Sequence, residues 1–207
     1  MVSGEKMNID DLKQVNHLWH KVYPFLAAQI MEHYGKETGT VLELGPFSGG
    51  ISEELARSYP TLKIIIADET PAVVEYLRRE ISEAELCEKI DVEQTGFSHL
   101  NFSDYQFDLI IVRGAFFFLT PHLLREIFRV LKRGGMAFVG GGFGKGTPRE
   151  VISEIAEESR ELNNRLGRKW ITRQHLEQMA REAGLKDTDY EVVEEGGLWL
   201  VITSHDS

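Results

Sequence analysis

The chain carries a single cysteine, Cys87, among its 207 residues. That excludes an intrachain disulfide and a cysteine-built metal cage. No apolar run reaches the length of a membrane span, and the opening MVSGEKMNIDDL lacks the basic-then-apolar order of a secretory leader. The expectation is a cytoplasmic protein with no membrane attachment. Positive charge is in deficit, with 23 Lys and Arg against 33 Asp and Glu, a formal net charge of -10. Nucleic acid is a disfavoured partner, because neutralising phosphates needs clustered cations. Internal repeats, low-complexity runs and linker-like stretches are missing too, so one domain is expected over 1–207. What is present suits a soluble globular domain with a core, at 42% hydrophobic and 27% charged residues.

Residues Ile9 to Tyr34 place apolar and aromatic side chains at helical spacing, interrupted by Pro24, and predict one or two leading helices. From Thr40 the pattern changes to short apolar runs alternating with amphipathic stretches. Strands are expected at Val41–Leu44, Leu62–Ala67, Lys89–Glu93, Phe107–Val112 and Met136–Val139, and helices at Gly49–Tyr59, Pro71–Ser82 and Pro121–Leu131. Strands buried on both faces and separated by helices mean parallel βαβ units. Helices follow at Pro148–Leu166 and Thr172–Ala183, and Gly196-Gly197 between two apolar runs signals a closing hairpin. The glycine cluster from Gly140 to Gly144 is too glycine-rich for strand or helix, and reads as a mobile loop.

In doubly wound sheets ligands sit beyond the carboxyl ends of the strands, which directs attention to the first bend, LELGPFSGG. Gly45 allows a sharp turn, Gly49 opens the next helix, and Ser48 is placed to cap it. Phe47 stands where a dinucleotide fingerprint has its central glycine. Glu43, two residues before Gly45, would repel a pyrophosphate, and no Lys or Arg lies between Val41 and Leu55 to offset it. The bend therefore suits a nucleoside bearing positive charge. Asp68 ends the second predicted strand, at the spacing of an acid that accepts ribose hydroxyls, and Thr70 and Pro71 start the following helix.

With these residues in view, Thr40 to Val139 resembles the class I S-adenosylmethionine-dependent methyltransferases. VLELGPFSGG, ADETP, FDLIIV and LLREIFRVLKRGGMAFV carry the resemblance. A narrower similarity joins the chain to an uncharacterised prokaryotic subgroup through RGAFFFL and GGGFG. The resemblance implies a Rossmann-like, doubly wound seven-stranded α/β sheet of order 3-2-1-4-5-7-6, strand seven antiparallel, with helices on both faces. It implies S-adenosyl-L-methionine as cofactor, and a layout of helical lid (1–38), cofactor-binding core (39–145), and helices with a C-terminal hairpin (146–207). Carried over, Glu43 receives the methionine ammonium, the backbone of Gly45, Pro46, Phe47 and Gly49 lines the methionine and ribose, and Asp68, with Glu69 beside it, binds the ribose. Gly96 and Phe97 replace the usual acid at the adenine, where Phe97 can stack.

Methyl transfer from a sulfonium asks little covalent help from a protein, so the lack of an obvious catalytic dyad is no objection. Arg113 is a candidate for the acceptor or the methionine carboxylate, with an ion pair to a neighbouring acid as the plainer alternative. His20 and Tyr23 are weaker catalytic candidates, and Tyr34 a weak cofactor contact. His17 and His20 complete no metal-ligand set, and no metal is expected. Phe116, Phe117 and Phe118 read as core or as walls of an acceptor pocket, and Trp199 as core. The expected activity is methyl transfer to a small-molecule acceptor by a monomer or homodimer. A cofactor-binding sensor or partner subunit without turnover is the alternative, and a nicotinamide-dependent oxidoreductase is a more distant one.

Overall fold

A computed structural model describes residues 8–205. The first seven residues of the expected 1–38 lid, with part of the stretch read for a leader, and the last two of the 146–207 segment lie outside the described residues. Two helices lead, α1 (Ile9–Trp19) and α2 (Tyr23–Tyr34), joined by a 3-10 turn over His20–Val22. Asn8 caps α1 by accepting from the amides of Asp10 and Asp11. Pro24 falls in the first turn of α2, where its missing N–H costs no helical bond.

Alternation then runs β1 (Gly39–Leu44), α3 (Gly50–Ser58), β2 (Leu62–Asp68), α4 (Pro71–Glu83), β3 (Ile90–Gln94), β4 (Phe107–Arg113), α5 (Pro121–Val130) and β5 (Leu131–Gly142). After these come α6 (Arg149–Glu158), α7 (Arg160–Arg165), α8 (Arg173–Ala183), β6 (Tyr190–Val193) and β7 (Gly197–Thr203). The sheet has seven strands in the order β3-β2-β1-β4-β5-β7-β6. β1 to β5 pair in parallel, and β7 is antiparallel to both β5 and β6. Order and directions agree with the expectation from the resemblance.

Each face of the sheet carries its own core. On one face α1 to α4, α6 and α7 pack over Val41, Ile64, Leu109 and Phe138. On the other α5 and α8 pack over Leu42, Ile110, Ala137 and Leu200. Such alternation along a single strand is the period-2 geometry of a sheet covered on both sides. Trp199 is fully buried against Phe138, ring centroids 4.5 Å apart.

Three local expectations are corrected. Gly140, Gly141 and Gly142 are not a mobile loop but the end of β5, paired with Trp199, Leu198 and Gly197 of β7. Glycine is needed because the strands approach too closely for side chains: a Cβ on Gly142 would collide with the Gly196 carbonyl. The helix expected over Pro148–Leu166 is broken at Ser159, which is buried and bonded through its hydroxyl to Asn163 Nδ2. Neither Ser48 nor Thr70 caps with its side chain. Gly49 is the N-cap of α3, and the extended Thr70 stands at the N-cap of α4 without a side-chain bond.

Candidate active site

β1 ends on Leu44 at the centre of the sheet, and the chain turns away at Gly45 with φ of 108°, a conformation that favours glycine. A Cβ there would lie 2.5 Å from Phe118 Cζ, so glycine also makes room for that ring. Gly45 N–H donates to Ala67 O at 2.9 Å, continuing the β1–β2 ladder into the bend. Glu43 is fully buried below it, and its Oε2 accepts from Gly49 N (2.9 Å) and Ser52 N (3.1 Å) at the start of α3. Burial pushes this carboxyl up from its ordinary value; the Ser52 and Gly49 groups and the nearby Arg113 pull the other way. Oε1 of Glu43 and the hydroxyls of Ser48 and Ser52 are buried without hydrogen-bond partners. Buried polar groups without partners are uncommon, and these converge on one bend.

Asp68 ends β2 beside this bend, 1% exposed, its Oδ1 accepting from Thr70 N at 2.7 Å. Burial lifts it to about 6, only partly opposed by the Thr70 amide. Glu69 is exposed and accepts from Phe97 N at 3.3 Å, which holds the loop after β3 against the end of β2. In that loop Phe97 is stacked on Phe118 with centroids 5.0 Å apart, and Gly96 pairs with His99. Glu43, Gly45, Asp68, Glu69, Gly96 and Phe97 therefore converge on the carboxyl ends of β1 to β3.

Arg113 ends β4 and is 3% exposed. The ion pair considered for it is absent among the described residues. Instead Nε and Nη2 donate to Phe47 O (3.0 and 2.7 Å), and Nη2 also donates to Asn16 Oδ1 (2.8 Å) and Tyr23 Oη (3.1 Å). The guanidinium lies among the rings of Trp19, Tyr23 and Phe47, 5.1 to 5.5 Å from their centroids. Tyr23 donates in turn to Asn16 O, and burial raises its phenol further from ionisation. A phenol so held is a poor base. Phe47 is 1% exposed and packs against Phe117 at 4.5 Å, so it is a wall and not an outward side chain.

Arg113 and Phe47 open onto a cavity of about 400 Å³ beyond β4 and β5. Trp19, Phe116, Phe117 and Phe143 supply its aromatic walls, and Trp19 stacks on Phe143 at 4.7 Å. The far wall comes from α6, α7 and the stretch after them, with Arg160, Arg168, Lys169 and Trp170. None of these four was singled out in the sequence; they lie outside the resembling segment, and only topology brings them to the ends of β4 and β5. His20 is exposed, bonded to His17 O, and lines a second cavity with Lys13, Tyr23 and Tyr76 and with Ser48 and Gly49 of the bend. Tyr34 lies at the opposite end of β1, where it donates to Thr38 O at 2.8 Å.

Comparison with known proteins agrees with this geometry. Residues 41–135 match the family described as a methyltransferase domain. A protein from Methanococcus maripaludis assigned to the S-adenosyl-L-methionine-dependent methyltransferases has a TM-score of 0.81 at 26% identity, over 100% of this chain and 98% of that one. A SAM-dependent methyltransferase from Aquifex aeolicus gives 0.68 at 18% identity, over 95% and 97% of the two chains. PigF, solved with SAH, gives 0.68 at 20%, over 95% of this chain and 60% of PigF. No curated protein matches the chain significantly.

The sheet order is that of the Rossmann-like class I methyltransferase fold, and residues 41–135 carry the matching methyltransferase domain. More particularly, the methyltransferase domain over residues 41–135 and the full-length likeness to the Methanococcus maripaludis protein support S-adenosylmethionine-dependent methyl transfer. The nicotinamide alternative is set aside by that match.

Proposed function

We propose that the chain methylates a small-molecule acceptor seated in the cavity beyond β4 and β5, with its cofactor held along the ends of β1, β2 and β3. The cavity itself carries this reading. Its volume of about 400 Å³ lies within the range of small-ligand sites, and it adjoins the bend through Phe47 and Arg113.

The residues present fit the cofactor. Glu43 Oε1 is a buried acceptor awaiting a donor, which suits the methionine ammonium, directly or through water. Asp68, buried beside the bend with no cationic partner among the described residues, suits the ribose hydroxyls. The backbone from Gly45 through Pro46 and Phe47 to Gly49 lines the methionine and ribose, Glu69 holds the adjoining loop, and Gly96 and Phe97 border the adenine. Arg113 serves the site by holding the Phe47 carbonyl and thus the shape of the bend. When bound, the cofactor supplies an electrophilic methyl group on sulfur.

The chain's own contribution is enclosure and orientation. Among the described residues no histidine, aspartate or glutamate lines the cavity, so none of these acts there as a general base. An acceptor atom that carries its lone pair already at neutral pH, as an aromatic amine or a ring nitrogen does, needs no general base there. Within the expected layout of 1–38, 39–145 and 146–207, the helices between residues 8 and 38 act as a lid on the core, and residues 146–205 close the acceptor side, within one domain. The acidic composition and single cysteine support a cytoplasmic setting.

Calorimetric titration with S-adenosylhomocysteine, followed by tritiated methyl transfer across an acceptor panel, tests this function. Saturable binding lost at least tenfold in Asp68→Ala is expected, together with turnover. Unchanged binding in that variant removes Asp68 from the site. Binding without turnover on any acceptor points to the sensor or partner-subunit alternative.

A further inference from the structure

The acceptor cavity concentrates the charge that the rest of the chain is short of. In a protein of net charge -10, its lining holds Arg113, Arg160, Arg168 and Lys169 and no carboxylate. Nearby cations show the ordinary alternative: Arg165 pairs with Asp11 at 2.8 Å, and Lys21 with Glu154 at 2.6 Å. Arg160, Arg168 and Lys169 have no such partner among the described residues. Partial desolvation lowers the Arg168 pKa, as befits a cation held without a counter-charge.

The backbone at Lys169 is also anchored. Lys169 N–H donates to Phe116 O at 2.9 Å, which ties the stretch after α7 to the aromatic turn following β4. Phe116, Phe117 and Phe143 line the same cavity as the cations, and Trp170, 86% exposed, stands at its rim. An aromatic floor selects a flat apolar body, and a fork of guanidinium donors selects a planar or tetrahedral anion.

We infer that the methyl acceptor is a planar or aromatic molecule bearing a carboxylate or phosphate, with Arg160, Arg168 and Lys169 on the anion and Phe116, Phe117 and Phe143 against its flat body. The inference rests on the proposed assignment of this cavity to the acceptor, and it adds the substrate class. Long-range attraction by the same cations draws such an acceptor to a chain that otherwise repels anions.

The test is calorimetric titration of the whole protein with 1-naphthoate, 1-naphthyl phosphate and the neutral 1-naphthamide, each with and without saturating S-adenosylhomocysteine. At least one anion is expected to bind fivefold or more tightly than the amide. Which anion does so separates a carboxylate from a phosphate acceptor. The double variant R160Q/R168Q is expected to lose that preference while keeping wild-type affinity for the amide and for S-adenosylhomocysteine. Both side chains reach solvent, and a melting curve matching wild type confirms that the variant folds. A preference below fivefold in the wild type, including no binding of any probe, overturns the inference, as does a preference that survives in the variant. Failure of S-adenosylhomocysteine to bind strikes the cofactor assignment instead, and the anion titration still reads independently in its absence.

Discussion

Asp68 combines burial with a proposed task that requires charge. Its folded value of about 6 lies above the ordinary 3.8, so the native state holds the proton more tightly than the unfolded chain does. The associated stability is fully present below about pH 4 and lost as pH rises through about 6. Ribose hydroxyls donating to the carboxylate favour its ionised form and draw the value back down. At pH 6, binding of S-adenosylhomocysteine should therefore release about half a proton, measured as a dependence of the heat on buffer ionisation enthalpy. Asp68→Asn should abolish that dependence, and a wild type without it would exclude the ribose role. The position of Asp68 was legible from spacing alone, because the distance from bend to second-strand end is a property of the βαβ unit. The setting of Phe47 was not. Whether a side chain in that bend faces out or in depends on Phe117 and Arg113, which arrive from a strand far along the chain.

Among the elements, α5 is fastened by charge as well as by its apolar face. Glu126, nearly buried, accepts from Leu100 N at 2.9 Å and pairs with Arg129 at 2.7 Å, and Arg129 reaches Asp104 and the carbonyls of Leu100 and Phe102. The network pins the loop before β4 onto the helix. Arg129 chiefly, helped by the Leu100 amide and against the effect of burial, pulls Glu126 down to about 2. A depressed carboxylate contributes stability above its unfolded value, near 4.5, and loses it as pH falls toward the folded one. Glu126→Gln should lower stability in urea by about 2 kcal/mol at pH 7, with the gap narrowing from pH 4.5 to 3. An equal gap at both ends would mean the charge is not what fastens the loop. The amphipathic pattern of α5 was plain in the sequence, whereas the glycines of β5 misled. Composition records that glycine disfavours a strand, but not that β7 passes too close for any other residue.

Across the whole molecule, the N-terminal helices are joined to the sheet through one buried cation. Arg113 on β4 binds Asn16 of α1, Tyr23 of α2 and the Phe47 carbonyl of the bend, so these helices and the bend share a fastening. Replacing it by methionine keeps much of the volume but leaves those acceptors without a donor, at a cost of about 2–3 kcal/mol. Hydrogen exchange should then quicken first in α1 and α2 while β4 and β5 stay protected; uniform loss of protection would show that Arg113 supports the sheet and not the lid. The sheet order was readable because the first five strands announce themselves and Gly196-Gly197 fixes the hairpin. The acceptor wall was not readable. Arg160 and Arg168 come to line the same cavity as Arg113 only after α6 and α7 fold back over the strand ends, a tertiary event with no local signature.

The position of β7 also orders events in time. It pairs with β5 on one side and β6 on the other, so an inner place of the sheet is filled by a segment made after α6, α7 and α8. During translation, β5 presents an open edge, bare of side chains at Gly140 to Gly142, until β7 has emerged. An unpaired edge of that kind is a template for intermolecular pairing. The nascent chain thus carries its greatest risk of aggregation between synthesis of β5 and arrival of the hairpin, the interval in which a ribosome-associated chaperone would matter most.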